Sequence, residues 1–174
     1  MYADQKCVLY TQQVTHMIDN IIIGLNDSAT TAELKGVFGL PNVTHNDDFA
    51  QAVAGGIDAW QGKNWDPEVN DPSFDQYCGN ITTPSVIYPD TEDLTSTVQD
   101  LLKKGGYASE VNTLTTPILN WIGWLAQYSV DGCEGTQDSC FGEYNITYYE
   151  QDDITQDWRS WPYQVNTLLP STFL

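Results

Sequence analysis

The stretch Thr116-Pro117-Ile118-Leu119-Asn120-Trp121-Ile122-Gly123-Trp124-Leu125-Ala126-Gln127-Tyr128 is the most apolar in the chain, and the rest of the fold has to be arranged around it. Ile118, Trp121, Ile122, Leu125 and Tyr128 recur at helical spacing, Thr116 is a natural cap, and Pro117 suits the first turn, where its missing N–H costs nothing. The spacing therefore predicts a helix starting at Thr116. Trp121, Ile122, Trp124 and Leu125 point in several directions around it, and a helix apolar over most of its circumference must be buried on more than one side.

Working outward, the preceding segment places Leu94, Val98, Leu101 and Leu102 on one stripe. Asp90 or Thr91 caps it, Lys103 and Lys104 stand at its negative end, and Gly105-Gly106 terminates it. Further back, residues 61–89 are rich in Asn, Asp, Pro and Gly and read as an irregular excursion tied down by Cys78. Three helices are expected before it. The first carries Cys7, Tyr10, Val14, Met17, Ile18, Ile21 and Leu25 on its apolar face and ends near Gly24. The second covers residues 30–38, capped by Asp27 or Ser28 and stopped by Gly39. The third opens at His45, with Phe49, Val53, Ile57 and Trp60 as its stripe and Gly55-Gly56 as a weak point. Beyond the apolar helix, Cys133 and Cys140 flank an acidic loop. An extended piece over 141–149 and a helix over 152–164, with Ile154, Trp158 and Trp161, complete the chain. Few runs have the two-residue period of a strand, so the fold class is mostly α with long irregular loops.

The 174 residues hold 24 Asp and Glu against 6 Lys and Arg, a formal charge of −18, which excludes a phosphate-backbone partner because that binding needs clustered cations. Six Trp, ten Tyr and five Phe are interspersed with the charges, so the acidity belongs to a folded surface rather than to a disordered tail. No run is long and apolar enough to span a bilayer. Neither nucleic acid nor membrane is an expected partner. Four Cys and four Asn-x-Ser/Thr sequons, at Asn26, Asn42, Asn80 and Asn145, point to a secretory setting; roughly two sequons would arise by chance. The first residues lack the succession of a signal peptide, and the expectation is that the chain begins inside a longer protein.

Catalytic signals are sparse. Gly-x-Ser-x-Gly, the strained turn that presents the nucleophile in an α/β-hydrolase, does not occur. His16 lies on the polar face of the first helix and His45 at the start of the third, with no marked orienting group, so both read as surface residues. Asp47 and Asp48 read as helix-start carboxylates favoured by the dipole rather than as metal ligands or a glycosidase pair. Cys133 and Cys140 lack the companions of a zinc site, and no catalytic residue, metal or cofactor is assigned. Four Cys permit three pairings, and the short loop between Cys133 and Cys140 brings that pair together.

The order of motifs carries more information than any one of them. Cys7 on the first helix, Gly39-Leu40, Asp47-Asp48-Phe49-Ala50, Asp58-Ala59-Trp60-Gln61, Ser73-Phe74-Asp75-Gln76-Tyr77-Cys78, Cys140-Phe141-Gly142-Glu143-Tyr144-Asn145 and Trp158-Arg159-Ser160-Trp161-Pro162-Tyr163-Gln164 follow one another in a way that resembles a single family. It is the serine peptidase family of lysosomal Pro-X carboxypeptidase, dipeptidyl peptidase II and the secreted fungal prolyl endopeptidases. The resemblance implies a helical cap inserted into an α/β-hydrolase domain, covering residues 1–164, and a disulfide joining Cys7 to Cys78. It also implies a secreted or vacuolar-lysosomal parent that cleaves peptides at proline with a Ser-His-Asp triad absent from this chain. Its partners would be the missing hydrolase domain and, within the whole enzyme, peptide substrates.

After Gln164 the family pattern continues with Cys-Thr-Glu, whereas residues 165–174 diverge, which reads as a retained intron or a shifted frame. The expectation that follows is a chain that folds poorly alone and exposes an apolar face of the helix opening at Thr116. The alternative reading is a stand-alone small secreted acidic protein that binds a partner through exposed aromatics.

Overall fold

The computed structural model describes residues 3–144 together with Thr147, Glu150 and Asp153. Two units divide between Glu143 and Tyr144, and the architecture below is that of the first, Met1–Glu143. The expected helix over 152–164 and the boundary at 164 lie outside the described residues.

Helix α1 (Gln5–Asp19) starts where the Asp4 carboxylate accepts from the amides of Lys6 (2.8 Å) and Cys7 (3.0 Å), filling two of the orphan donors of a helix start. It runs on into a wider π turn, Asn20–Leu25, and ends at Asn26, whose φ of 50° is left-handed. The predicted stripe is buried from Cys7 to Ile21, but Leu25 is 47% exposed because the π turn rotates it off the face. Helix α2 (Ser28–Val37) is capped by Asp27, which accepts from the Thr30 amide at 2.8 Å, and it stops at Gly39 with φ 72°. There the Leu40 amide returns to the Lys35 carbonyl at 2.9 Å, and Leu40 is fully buried. Helix α3 (Asn46–Asp58) opens at His45 as expected.

The segment 61–89 differs from its reading as an irregular excursion, because its middle is helix α4 (Ser73–Thr82). Phe74, Tyr77, Cys78 and Ile81, spaced three, four and seven residues apart, are all buried. The turn-rich composition on both sides hides a short helix that tertiary packing holds. Gly56 is part of the reason: a Cβ there would lie 2.5 Å from the Tyr77 ring, so the supposed weak point of α3 is where α4 approaches it.

Helix α5 (Thr95–Lys104) begins four residues after the expected cap, because Pro89–Leu94 forms a 3₁₀ turn first. Helix α6 (Val111–Tyr128) corrects the prediction in the other direction: it starts before Thr116, and Pro117 lies inside it. The helix tolerates the missing N–H there because burial holds it, with every residue from Leu114 to Leu125 except Thr116 buried.

Helix α6 is the axis of the fold, packed by α1, α3, α4, α5 and the Pro89–Leu94 turn. Trp121, Ile122, Trp124 and Leu125 are each at most 5% exposed, so the expected uncovered apolar face is not present. Tyr77 stands edge-on to Trp121 and Trp124 at 5.2 and 5.4 Å, and the Trp121 indole donates to the Val53 carbonyl at 3.2 Å. A short helix α7 (Gln137–Phe141) follows the 3₁₀ turn Val130–Gly132. Among the described residues there is no strand, and no helix is long and apolar enough to cross a membrane. The fold class is mostly α.

Candidate functional site

Four groups of side chains were singled out for chemistry, and the fold deals with each differently. The cysteines pair as Cys7–Cys78, with Cα atoms 5.3 Å apart, and Cys133–Cys140, at 5.9 Å. The first bridge is buried and staples α1 to α4 across 71 residues; the second closes the short loop carrying α7, and its Cys140 is exposed.

The histidines are far apart in role. His16 lies against Tyr107, its Nδ1 2.9 Å from the phenol oxygen and the two rings edge to face. His45 is the residue before α3, and its imidazole adds positive potential at Asp138. Among the described residues no cluster of three His, Cys, Asp or Glu side chains is arranged to hold a metal.

Asp47 and Asp48 stand in the first turn of α3. Asp48 is buried, its Oδ1 accepting from the Glu143 amide at 3.0 Å while Oδ2 has no hydrogen-bond partner. A cation offsets this. Lys35, also buried, donates from Nζ to the carbonyls of Val43 (2.9 Å) and Thr44 (3.2 Å). Desolvation pushes its pKa down, opposed by the fields of Asp138, Asp47 and Asp48. The pattern of one buried ammonium tying a loop to a carboxylate group is architecture, and sequence reading missed Lys35 because a lone Lys in a polar helix gives no signal of burial.

Around it the loop of α7 is clasped onto residues 39–48. Gln137 accepts from the Asn42 amide (2.8 Å) and donates to the Gly39 carbonyl (2.7 Å), and Asp138 accepts from both the amide (2.7 Å) and hydroxyl (2.6 Å) of Thr44. The Thr44 hydroxyl, and then its amide, hold the Asp138 carboxyl below its ordinary value.

Clefts open on the surface among the described residues. One, of about 580 Å³, is walled by α2 and the loop after it and lined by Asn26, Thr31, Lys35, Asn42 and Thr44. Another, of about 380 Å³, is apolar and lies between α1 and the end of α3, with Val8, Ile57, Trp60 and Phe74 in its walls. Beside it Lys63 covers the Trp60 and Phe74 rings at 5.9 and 5.8 Å and pairs with Asp75, while Trp65 is 87% exposed.

The sequons separate along the same lines. Asn26 and Asn42 are exposed, and Asn80 is half-buried within α4, its side-chain amide donating to Tyr88 Oη at 2.7 Å. Asn145 lies outside the described residues.

These features define an acidic domain stapled by two disulfides and all-helical among the described residues. The chain is similar to a curated protein of Arthroderma benhamiae named "Probable extracellular serine carboxypeptidase": 39% of 165 residues are identical, which covers 93% of this chain and 23% of that protein. The chain thus spans about a quarter of its relative's length. No family model matches the chain, and no solved structure matches it.

Proposed function

We propose that this chain is the helical cap segment of a secreted serine carboxypeptidase-like enzyme, that it roofs the active site and limits which peptides enter, and that it has no peptidase activity by itself. The observation that carries the reading is the 39% identity over nearly the whole chain to under a quarter of an extracellular serine carboxypeptidase. The helical fold and the absence of Gly-x-Ser-x-Gly from the sequence support it, since an acyl-transfer enzyme needs an activated nucleophile and this chain offers no such turn. Steric gating is the contribution such a segment can make, because a rigid stapled bundle excludes bulky chains without touching the reacting atoms. The order of motifs adds cleavage at proline and a glycosylated, secreted or vacuolar-lysosomal parent.

The test has two arms. Purified chain incubated with a proline-containing chromogenic peptide at acidic and neutral pH should give no turnover sensitive to a serine-directed phosphonate; such turnover would end the claim of inactivity. Genomic sequence flanking the coding region should hold a Gly-x-Ser-x-Gly upstream and the acid and base of a triad downstream. A signal peptide immediately upstream with no hydrolase sequence would favour the stand-alone binder instead, for which the exposed Trp65 beside Trp60 and Lys63 is the supporting feature.

A further inference from the structure

We propose that Asn26 and Asn42 carry N-linked glycans side by side on the rim of the α2 cleft, and that Asn80, although it lies in an equally good sequon, stays bare in the folded protein. The proposal rests on the secreted reading only for access to the glycosylation machinery; its readout is site occupancy and is independent of peptidase activity.

The modification transfers an oligosaccharide from a polyprenyl diphosphate to the asparagine amide. A bond forms between Nδ2 and the anomeric carbon, the bond from that carbon to the diphosphate oxygen breaks, the lipid diphosphate leaves with the electron pair, and the amide gives up one proton. A modified asparagine is compatible with the fold only where Nδ2 faces solvent and has no structural work. Asn26 meets both conditions: it is exposed, it sits in the left-handed conformation between the π turn and α2, and its side chain makes no hydrogen bond among the described residues. Asn42 is likewise exposed, and only its backbone is engaged, through the amide donated to Gln137. Both line the 580 Å³ cleft. Sugars there would stand over the Lys35 face, on elements that make few of the contacts around α6.

Asn80 is different at every point. Its Nδ2 donates to Tyr88 Oη at 2.7 Å, and its carbonyl accepts from Asn120 Nδ2 at 3.0 Å. Thr82, the hydroxyl residue of its sequon, is turned back on the Cys78 carbonyl at 2.7 Å. Tyr88 in turn lies so close to α6 that a Cβ on Gly123 would come within 2.1 Å of its ring. A sugar on Asn80 would have to fit beside this contact, so a chain modified there cannot seat Tyr88 on α6 and is depleted from the folded fraction.

The full chain, fused to a cleavable leader and secreted from a eukaryotic host, would be fractionated to the compact monomer with both disulfides formed. Enzymatic release of glycans in heavy-oxygen water, followed by peptide mass spectrometry, marks each formerly occupied Asn. The expected result is label at Asn26 and Asn42 and none at Asn80, with Asn26→Gln and Asn42→Gln each removing one glycan from the intact mass. Label at Asn80 in that fraction, or a bare Asn26 or Asn42, overturns the proposal. Asn80→Gln provides a second measure that does not need the wild-type map: if it reaches the medium, its glycan count is unchanged, and a lost glycan overturns the assignment.

Discussion

Gly123 and Gly55 are both helical glycines, and the neighbours of each decide what a methyl group would do. A Cβ on Gly123 would come within 2.1 to 2.5 Å of Tyr88 ring and Cβ atoms, so Gly123→Ala forces Tyr88 off α6; we expect a loss of about 1–3 kcal/mol, the usual cost of overpacking. Nothing lies within 4 Å of the corresponding point on Gly55, so Gly55→Ala should gain about 0.5–1 kcal/mol by restricting the unfolded chain. Urea melts of the two variants test the pair, and equal shifts would mean the close approach of Tyr88 is not real. Asn120 is the polar counterpart. Fully buried, it accepts from the Ile87 amide and donates to the carbonyls of Asn80 and Ser85, pinning the strap after α4 to α6. Asn120→Ala strands three backbone groups and should cost on the order of 3 kcal/mol. Asn120→Asp should be nearly as harmful, because it keeps the acceptor but removes both donors.

At the scale of elements, the two disulfides do different jobs. The chain-entropy relation gives about 4 kcal/mol for the 71-residue closure of Cys7–Cys78 and about 2 kcal/mol for Cys133–Cys140. Cys7 and Cys78 are 1% and 7% exposed whereas Cys140 is open to solvent, so a thiol reductant should open the second bridge in the native protein and the first only on unfolding. Timed alkylation and peptide mapping would show Cys133 and Cys140 labelled first; simultaneous labelling of all four would contradict this.

The clasp between α7 and residues 39–48 should also answer to pH, with a definite sign. Asp138 has a folded pKa below its ordinary 3.8, so its contribution is complete above that value and disappears only as pH falls through the lowered one. The amide shift of Thr44, followed by NMR, should therefore show the Asp138 step only below about pH 4. In Asp138→Asn that acid step should vanish; its persistence would mean the carboxylate is not hydrogen-bonded to Thr44 as described.

For the whole molecule the dominant physical fact is the charge of −18 on a fold whose apolar axis is already covered. Self-repulsion at neutral pH opposes compactness, and salt screens it: raising ionic strength from roughly 0.01 to 0.15 M shortens the screening length from about 30 to about 8 Å. The Tm at neutral pH should rise by a few degrees over that range. A Tm that is flat or falls would mean that local ion pairs such as Lys104–Glu33 outweigh the net field. Since Trp121 and Trp124 are buried, with Trp121 against Val53 of α3 and both against Tyr77 of α4, the same melt should be a single transition by tryptophan fluorescence and by far-UV circular dichroism.

The sequence by itself determined what depends on neighbours along the chain. Helical period marked α1, α2, α3 and α5, and local caps and breakers such as Asp27, Gly39 and Gly105-Gly106 placed several of their ends, because those groups act within one turn. It also carried the motif order that pointed to a peptidase cap, and the absence of a nucleophile turn. Tertiary structure alone decided the rest. Helix α4 forms in a turn-rich segment because Tyr77 finds Gly56, Trp121 and Trp124, none of them near it in sequence. Pro117 is carried inside α6, rather than starting it, because burial from several helices outweighs one missing hydrogen bond. Lys35 and Asp48 are buried together because the loop after α2 folds back over them, and sequons that read alike become different sites because one lies against Tyr88 and two face water. Periodicity reports which face of a segment is apolar; which surface covers that face depends on contacts between residues far apart in the chain, and a single sequence does not encode those pairings in any local pattern.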